Sequence, residues 1–179
     1  MGRARHLFAA LCAAAVLAGS CPVQAAVTEA DVKAAFLPRF ARYATWPSSA
    51  APSGSNPYML CVIGRDPFGD GLDSAARTQS VDGRRIVVRR LDSAVGAAQC
   101  HIAYVSGSRT QSIGQMLAAL HGKPVLTVTD SRNGSARGII HFAVVDGRVR
   151  FYIDQAEASV DGVTISSRLL ALAIDVKQR

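Results

Sequence analysis

The sequence predicts an α/β fold: a three-layer sandwich around a mostly parallel sheet of five or six strands, with an antiparallel hairpin at its C-terminal edge. Two observations carry this. Between residues 58 and 128, short β-branched runs alternate with segments of helical periodicity, the pattern of parallel strands joined by helical crossovers. Near the end, Asp146-Gly147 separates two alternating apolar runs, a strong signal for a two-residue hairpin. A third observation bounds the domain. Residues 1–25 read as a secretory signal, leaving residues 26–179 as one domain.

The signal has a basic start in Arg3 and Arg5 and an apolar run over residues 7–19 that is too short to span a bilayer. Small residues at Val23-Gln24-Ala25 place the cleavage after Ala25, with Ala26 as the second choice. Cys21 invites a lipoprotein reading, but the large aliphatic residue expected three positions earlier is absent. No acidic residue precedes Glu29, which argues against a core helix. Cleavage leaves about 154 residues, enough for one domain with its own core. It removes two of 20 basic residues and none of the 13 acidic ones, so the net charge falls from +7 to 18 − 13 = +5. The product is expected in an oxidising compartment, the bacterial periplasm, where ATP-dependent chemistry is disfavoured.

Each element follows in order. Thr28 with Asp31 is a near capping box, and Val32, Ala35, Phe36, Phe40 and Tyr43 recur at helical spacing. Pro38 should kink this helix, and Trp46-Pro47 should end it. Residues 48–57, rich in Ser, Pro, Ala and Gly, read as a surface loop. Residues 58–63 are a strand stopped by Gly64; 67–77 suit a helix; 84–90 are a strand; 92–97 are at most a short helix. Residues 101–105 are a third strand. The best helix covers 108–120, with Ile113, Met116, Leu117 and Leu120 on one face. A fourth strand covers 124–128. Strands over 138–145 and 148–153 make the hairpin, and a last helix from Ser166 or Ser167 carries Leu169, Leu170, Ala173 and Val176 on one face.

Two cysteines, Cys61 and Cys100, remain after cleavage. In an oxidising compartment they read as one disulfide, the alternative being two buried free thiols. No Cys-x-x-Cys is present to suggest redox catalysis.

The chemistry-bearing motifs are weak. Residues 64–71 follow a strand and precede a helix, but lack the Lys-Ser/Thr of a P-loop and the spacing of a dinucleotide loop. An ordinary turn is the better reading. His101, His121 and His141 have no metal-ligand partner at recognisable spacing, so no metal site is expected. Ser166-Ser167 is not a nucleophile elbow. Asp66, Asp70 and Asp73 read as a solvated face, and Arg84-Arg85 with Arg89-Arg90 as charged strand ends. Nucleic acid is disfavoured by compartment and by the lack of aromatic interleaving. No catalytic residue and no cofactor is expected, which argues for a binding or regulatory protein rather than an enzyme.

Taken in order, several segments resemble the YfiR family of periplasmic proteins over nearly all of residues 28–175. They are the aromatic helix before Trp46-Pro47; Leu60-Cys61-Val62-Ile63-Gly64 with Asp66-Pro67-Phe68; Cys100-His101-Ile102; residues 126–130; Gly138-Ile139-Ile140; Phe151-Tyr152-Ile153; and residues 165–173. The resemblance implies an α/β sandwich that forms a homodimer and binds the periplasmic part of an inner-membrane diguanylate cyclase, keeping it inactive. Cyclic-di-GMP signalling and biofilm formation would fall, and an outer-membrane lipoprotein would relieve the repression. The hairpin over 138–153, with Ile140 and Tyr152, matches the family's partner-facing region, although strand alternation leaves each residue equally able to point inward. The chain departs from the family at Pro38, at Asp154, where Asn is common, and in lacking a second cysteine pair near residues 134–141. The alternative function is a small-molecule sensor serving another membrane receptor or sensor kinase, with a pocket near Gly64, Ser106 and Asp130 at the C-terminal ends of the parallel strands.

Overall fold

The computed structural model describes residues 26–178; the expected signal, residues 1–25, lies outside the described residues. Within them, one mixed sheet has helices on both faces, as the alternation predicts. Helix α1 (Glu29–Phe40) leads to strand β1 (Ala44–Thr45). Then come β2 (Tyr58–Gly64), α2 (Asp70–Arg77), β3 (Ser80–Val81), β4 (Arg84–Leu91), β5 (Ile102–Gly107), α3 (Ile113–Leu120) and β6 (Leu126–Asp130). The chain closes with β7 (Ile140–Val145), β8 (Arg148–Asp154), α4 (Gln155–Val160), β9 (Thr164–Ile165), α5 (Ser167–Leu170) and β10 (Val176–Lys177).

The sheet runs β10-β8-β7-β6-β5-β2-β4-β3. Strands β4, β2, β5, β6 and β7 are mutually parallel, and β8 returns antiparallel to β7. Six strands are five residues or longer, the number the sequence suggests, and two-residue strands extend each edge. The hairpin is closed by Asp146 and Gly147, both at positive φ, and Val145 pairs with Arg148. This is the backbone a two-residue primed turn requires. Outside the hairpin, β10 pairs with Ile153 and Asp154, and among the described residues no strand borders the outer side of the stretch from Arg148 to Arg150.

Strand alternation assigns side chains to the two faces. Leu60, Val62, Ile102, Tyr104, Leu126, Val128, Ile140 and Phe142 join α1 and α2 in the larger core. There the rings of Phe36, Phe40, Phe142 and Phe151 pack with centroids 5.5–6.2 Å apart. Cys61, Ile63, Ala103 and Val105 face the other way, against Ile113, Met116 and Leu120 of α3. Cys61 and Cys100 are bridged, with Cα atoms 5.9 Å apart, inside this second core. Closing 39 residues of chain, the bridge contributes about 4 kcal/mol in the chain-entropy model.

The helix ends explain the boundaries. Thr28 and Asp31 form a full capping box on α1, and Ser112 and Gln115 form one on α3. That cap starts α3 at Ile113, five residues later than the periodicity proposes. Pro38 lies in the last turn of α1, which ends at Phe40 without reaching Trp46. Pro38 has no amide to donate to the Ala34 carbonyl, and the helix ends two residues after it.

The C-terminal segment departs from expectation. Residues 166–176 make not one helix but the single turn α5, after which Val176 enters β10. The chain leaves the helix so that the Ile174 amide can donate to Phe151 O at 2.9 Å and Asp175 O can accept from the Ile153 amide at 3.1 Å. Satisfying the edge of β8 outweighs the helical apolar spacing. Residues 92–97 likewise form no α-helix; a 3-10 turn at Ala97–Gln99 precedes β5.

Gly64 shows why β2 stops where it does. Its φ is +92°, and a Cβ there would collide with the Gly107 carbonyl at the end of β5. The register between the two strands shifts at this point, and the Arg65 amide reaches Gly107 O at 3.0 Å. Two strand ends approach so closely because neither carries a side chain.

Candidate functional site

Two regions concentrate exposed or charged chemistry: the hairpin surface and the C-terminal ends of the parallel strands.

On the hairpin, the alternation divides the two residues matched to the partner-facing region. Ile140 has 0% exposure and packs in the larger core. The parity that buries Phe142 buries Ile140 too, so its side chain belongs to the core and offers no exposed surface. Tyr152 points to the opposite face and is half-buried. The Arg137 guanidinium stacks over its ring at 4.9 Å, and the His141 ring lies 6.5 Å away. Thr129 Oγ1 and His141 Nδ1 share a hydrogen bond of 2.8 Å. Burial and the nearby Arg137 hold the His141 pKa below the usual imidazole range. Asp154, at the far end of β8, caps α4 by accepting from the Glu157 amide at 2.9 Å and pairs with Lys177 at 2.8 Å. The carboxylate at this departure from the family pattern therefore ties β10 to β8.

At the hairpin tip, apolar side chains gather at the surface. Val144 is 42% and Val145 38% exposed, and beyond the outer side of β8 Leu172 is 58% and Ile174 44% exposed. Val145, Arg148, Arg150, Leu172 and Ile174 line an open groove of about 310 Å³. On the other side of the tip, Val144 and Val149 face Val32 and Phe36 across a groove of about 440 Å³. Sequence periodicity does not reveal this patch, because exposed valines continue the strand pattern of buried ones. The unpaired outer side of Arg148–Arg150 is equally a product of tertiary placement.

At the sheet's C-terminal end lies a buried charged network. Lys33 is 3% exposed, and its ammonium pairs with both Glu29 and Asp130, the latter 4% exposed. Arg132 completes the group by pairing with Glu29. Asp130 Oδ1 accepts the Arg132 amide at 3.0 Å, and its Oδ2 accepts the Tyr104 hydroxyl at 3.4 Å. Asn133 donates to that hydroxyl at 3.0 Å. Burial, reinforced by the Asp130 charge, pushes the Tyr104 phenol well above the usual range. Phe68 meets the Tyr104 ring edge-on at 4.8 Å. These groups line a crevice of about 90 Å³, room for a few waters or a small polar group. Asp130 alone of the three expected pocket residues lines it. Ser106 is 1% exposed and spends its hydroxyl on the carbonyls of Ile63 and Arg65, and Gly64 packs on Gly107. Lys33 and Tyr104 were not legible as pocket residues, since 97 residues separate Lys33 from Asp130.

The remaining motifs are structural. Asp66 Oδ1 accepts the Phe68 amide at 2.8 Å, and Asp66 and Asp73 clamp Arg90, each at 2.7 Å. The turn after β2 is thus held by its own carboxylate and an arginine of β4. His101 accepts the Met59 amide at 2.9 Å, and its carbonyl accepts the Trp46 indole at 3.1 Å. Ser166 precedes α5 without making a side-chain cap.

The disulfide fits an oxidising compartment. Among the described residues, no helix is long and apolar enough to cross a membrane. No curated protein matches the chain. The model of a protein family described as YfiR/HmsC-like matches residues 30–174, which span both cores, the disulfide, the charged crevice and the hairpin. The chain belongs to the YfiR/HmsC-like family.

Proposed function

We propose that the mature protein is a periplasmic regulator that binds the periplasmic part of an inner-membrane diguanylate cyclase and holds it inactive, lowering cyclic-di-GMP and biofilm formation. The observation that carries this reading is family membership across residues 30–174, the family being regulatory rather than catalytic. The exposed apolar tip of the hairpin supports it, because solvent-facing Val144, Val145, Leu172 and Ile174 form the kind of surface that association covers. The binding surface runs from Tyr152 along β8 to that tip. An outer-membrane lipoprotein relieves the repression, and the mature protein acts as a homodimer.

Binding is tested by titrating the purified mature protein against the purified periplasmic segments of its host's membrane cyclases. One segment should bind saturably, and Val145→Asp should weaken that binding at least tenfold while leaving the melting temperature unchanged. Failure of every segment to bind would refute the reading.

The buried charged crevice favours a second reading, a small-molecule sensor serving another receptor or sensor kinase. Lys33, Asp130 and Tyr104 converge on a polar hollow at the strand ends, where α/β sheets place ligands. A thermal-shift screen of amino acids, vitamins and cell-wall fragments separates the two. A pure protein-binding repressor gives a flat profile; a sensor gives a specific shift that Asp130→Asn abolishes.

A further inference from the structure

Away from both regions, three potential ligand side chains meet on the surface where α3 ends and α4 begins. His121 caps the C-terminus of α3; Glu157 lies in the first turn of α4; Asp161 caps its end. One ligand atom from each lies within 4.8 Å of the others. We propose that His121 Nδ1 and one carboxylate oxygen each from Glu157 and Asp161 bind a divalent transition-metal ion, with zinc the best fit.

The chemistry of the donors favours this ion. One imidazole and two carboxylates suit zinc, and three protein ligands leave a position for water. Ligands about 2.0–2.1 Å from a tetrahedral zinc are about 3.3 Å apart. His121 Nδ1 and Glu157 Oε1 already stand at 2.9 Å, so closure needs a small movement of the pair toward Asp161. Both can move, being 57% and 38% exposed.

Asp161 is the fixed member and the second, independent pointer. The residue is 3% exposed. Its Oδ1 accepts from the Gly122 amide at 2.6 Å. A carboxylate so buried, held by one backbone amide and set beside a second carboxylate, is stabilised by a neighbouring cation. Burial, with the Glu157 charge behind it, raises its pKa to about 6. His121 meets this need incompletely, since its hydrogen bond goes to Glu157. Bound metal would neutralise both carboxylates and pin the helix before β6 to the helix after β8. The trio leaves no motif in the sequence because His121 and Glu157 are 36 residues apart; only the Glu157-x-x-x-Asp161 spacing is local.

The test uses tag-free, chelator-treated mature protein titrated with zinc chloride by calorimetry, with melting curves in parallel. One zinc per chain should bind at micromolar or lower concentration and raise the melting temperature. His121→Ala and Glu157→Gln should each weaken binding roughly tenfold or more, while the metal-free variants melt as the metal-free wild type does. Should His121→Ala unfold, Glu157→Gln carries the same test, because that side chain makes no backbone bond. Absence of saturable 1:1 binding, or binding that neither substitution weakens, would overturn the proposal and leave the trio an ion pair beside a loop anchor.

Discussion

At the scale of single residues, burial and not residue type separates structure from surface. Ile140 and Tyr152 lie on the same hairpin and were equivalent by motif, yet one is core and the other faces Arg137. Ile140→Ala should cost about 2–4 kcal/mol through the cavity it leaves, whereas Tyr152→Ala should cost under 1 kcal/mol. Denaturant unfolding of the two variants checks this, and similar losses would contradict the assignment of faces. Lys33 was legible as a helical residue but not as a buried one; only the fold brings Asp130 to it. Lys33→Met should destabilise by about 3–5 kcal/mol, because it strands a buried carboxylate. Asp161 gives a pH prediction with a definite sign. Its folded pKa of about 6 exceeds the ordinary aspartate value of 3.8, so the folded state holds a proton between about pH 4 and 6 that the unfolded chain has lost. Stability from this group therefore falls as pH rises through that window. In metal-free buffer at pH 7, Asp161→Asn should stabilise by about 1–2 kcal/mol, below the roughly 3 kcal/mol of the whole shift because solvent around the exposed His121 and Glu157 screens the neighbouring charges. The gain should vanish near pH 4.

At the scale of elements, legibility followed locality. The long strands, the best helix and the Asp146-Gly147 turn are written in contiguous residues, and the structure keeps them. Asp82-Gly83 carries the same turn signal and makes a second two-residue hairpin, with Val81 paired to Arg84. Sequence alone does not reveal it, because β3 is too short to show alternation. Residues 166–176 misled for the opposite reason: a helical apolar spacing exists, but the unpaired edge of β8 claims the backbone. The same logic hides α4, six residues long and started by the Asp154 cap rather than by periodicity. The disulfide is the element-scale constraint that composition did expose. Cys61→Ala/Cys100→Ala should lower stability by about 2–4 kcal/mol and leave cyclase binding intact, since the bridge lies in the second core, away from the hairpin tip. Chemical unfolding of the oxidised protein and the double variant reads the first part; titration with the cyclase segment reads the second.

At the scale of the whole molecule, the fold presents a rigid sheet with one incompletely covered edge. Parallel strands are shielded on both faces by α1, α2 and α3, while the hairpin and the short β10 leave apolar side chains and part of a strand edge facing solvent. The charged crevice lies at the sheet's C-terminal end beside the hairpin tip, and Glu29 lines both the crevice and the groove across the tip. That arrangement suits a regulator whose partner contact is tuned by a neighbouring polar site. Repression of a diguanylate cyclase is measured most directly by cellular cyclic-di-GMP. Deleting the gene in its host should raise cyclic-di-GMP, the wild-type gene should restore it, and a folded Tyr152→Asp variant should not. Cyclic-di-GMP unchanged by the deletion would contradict the account.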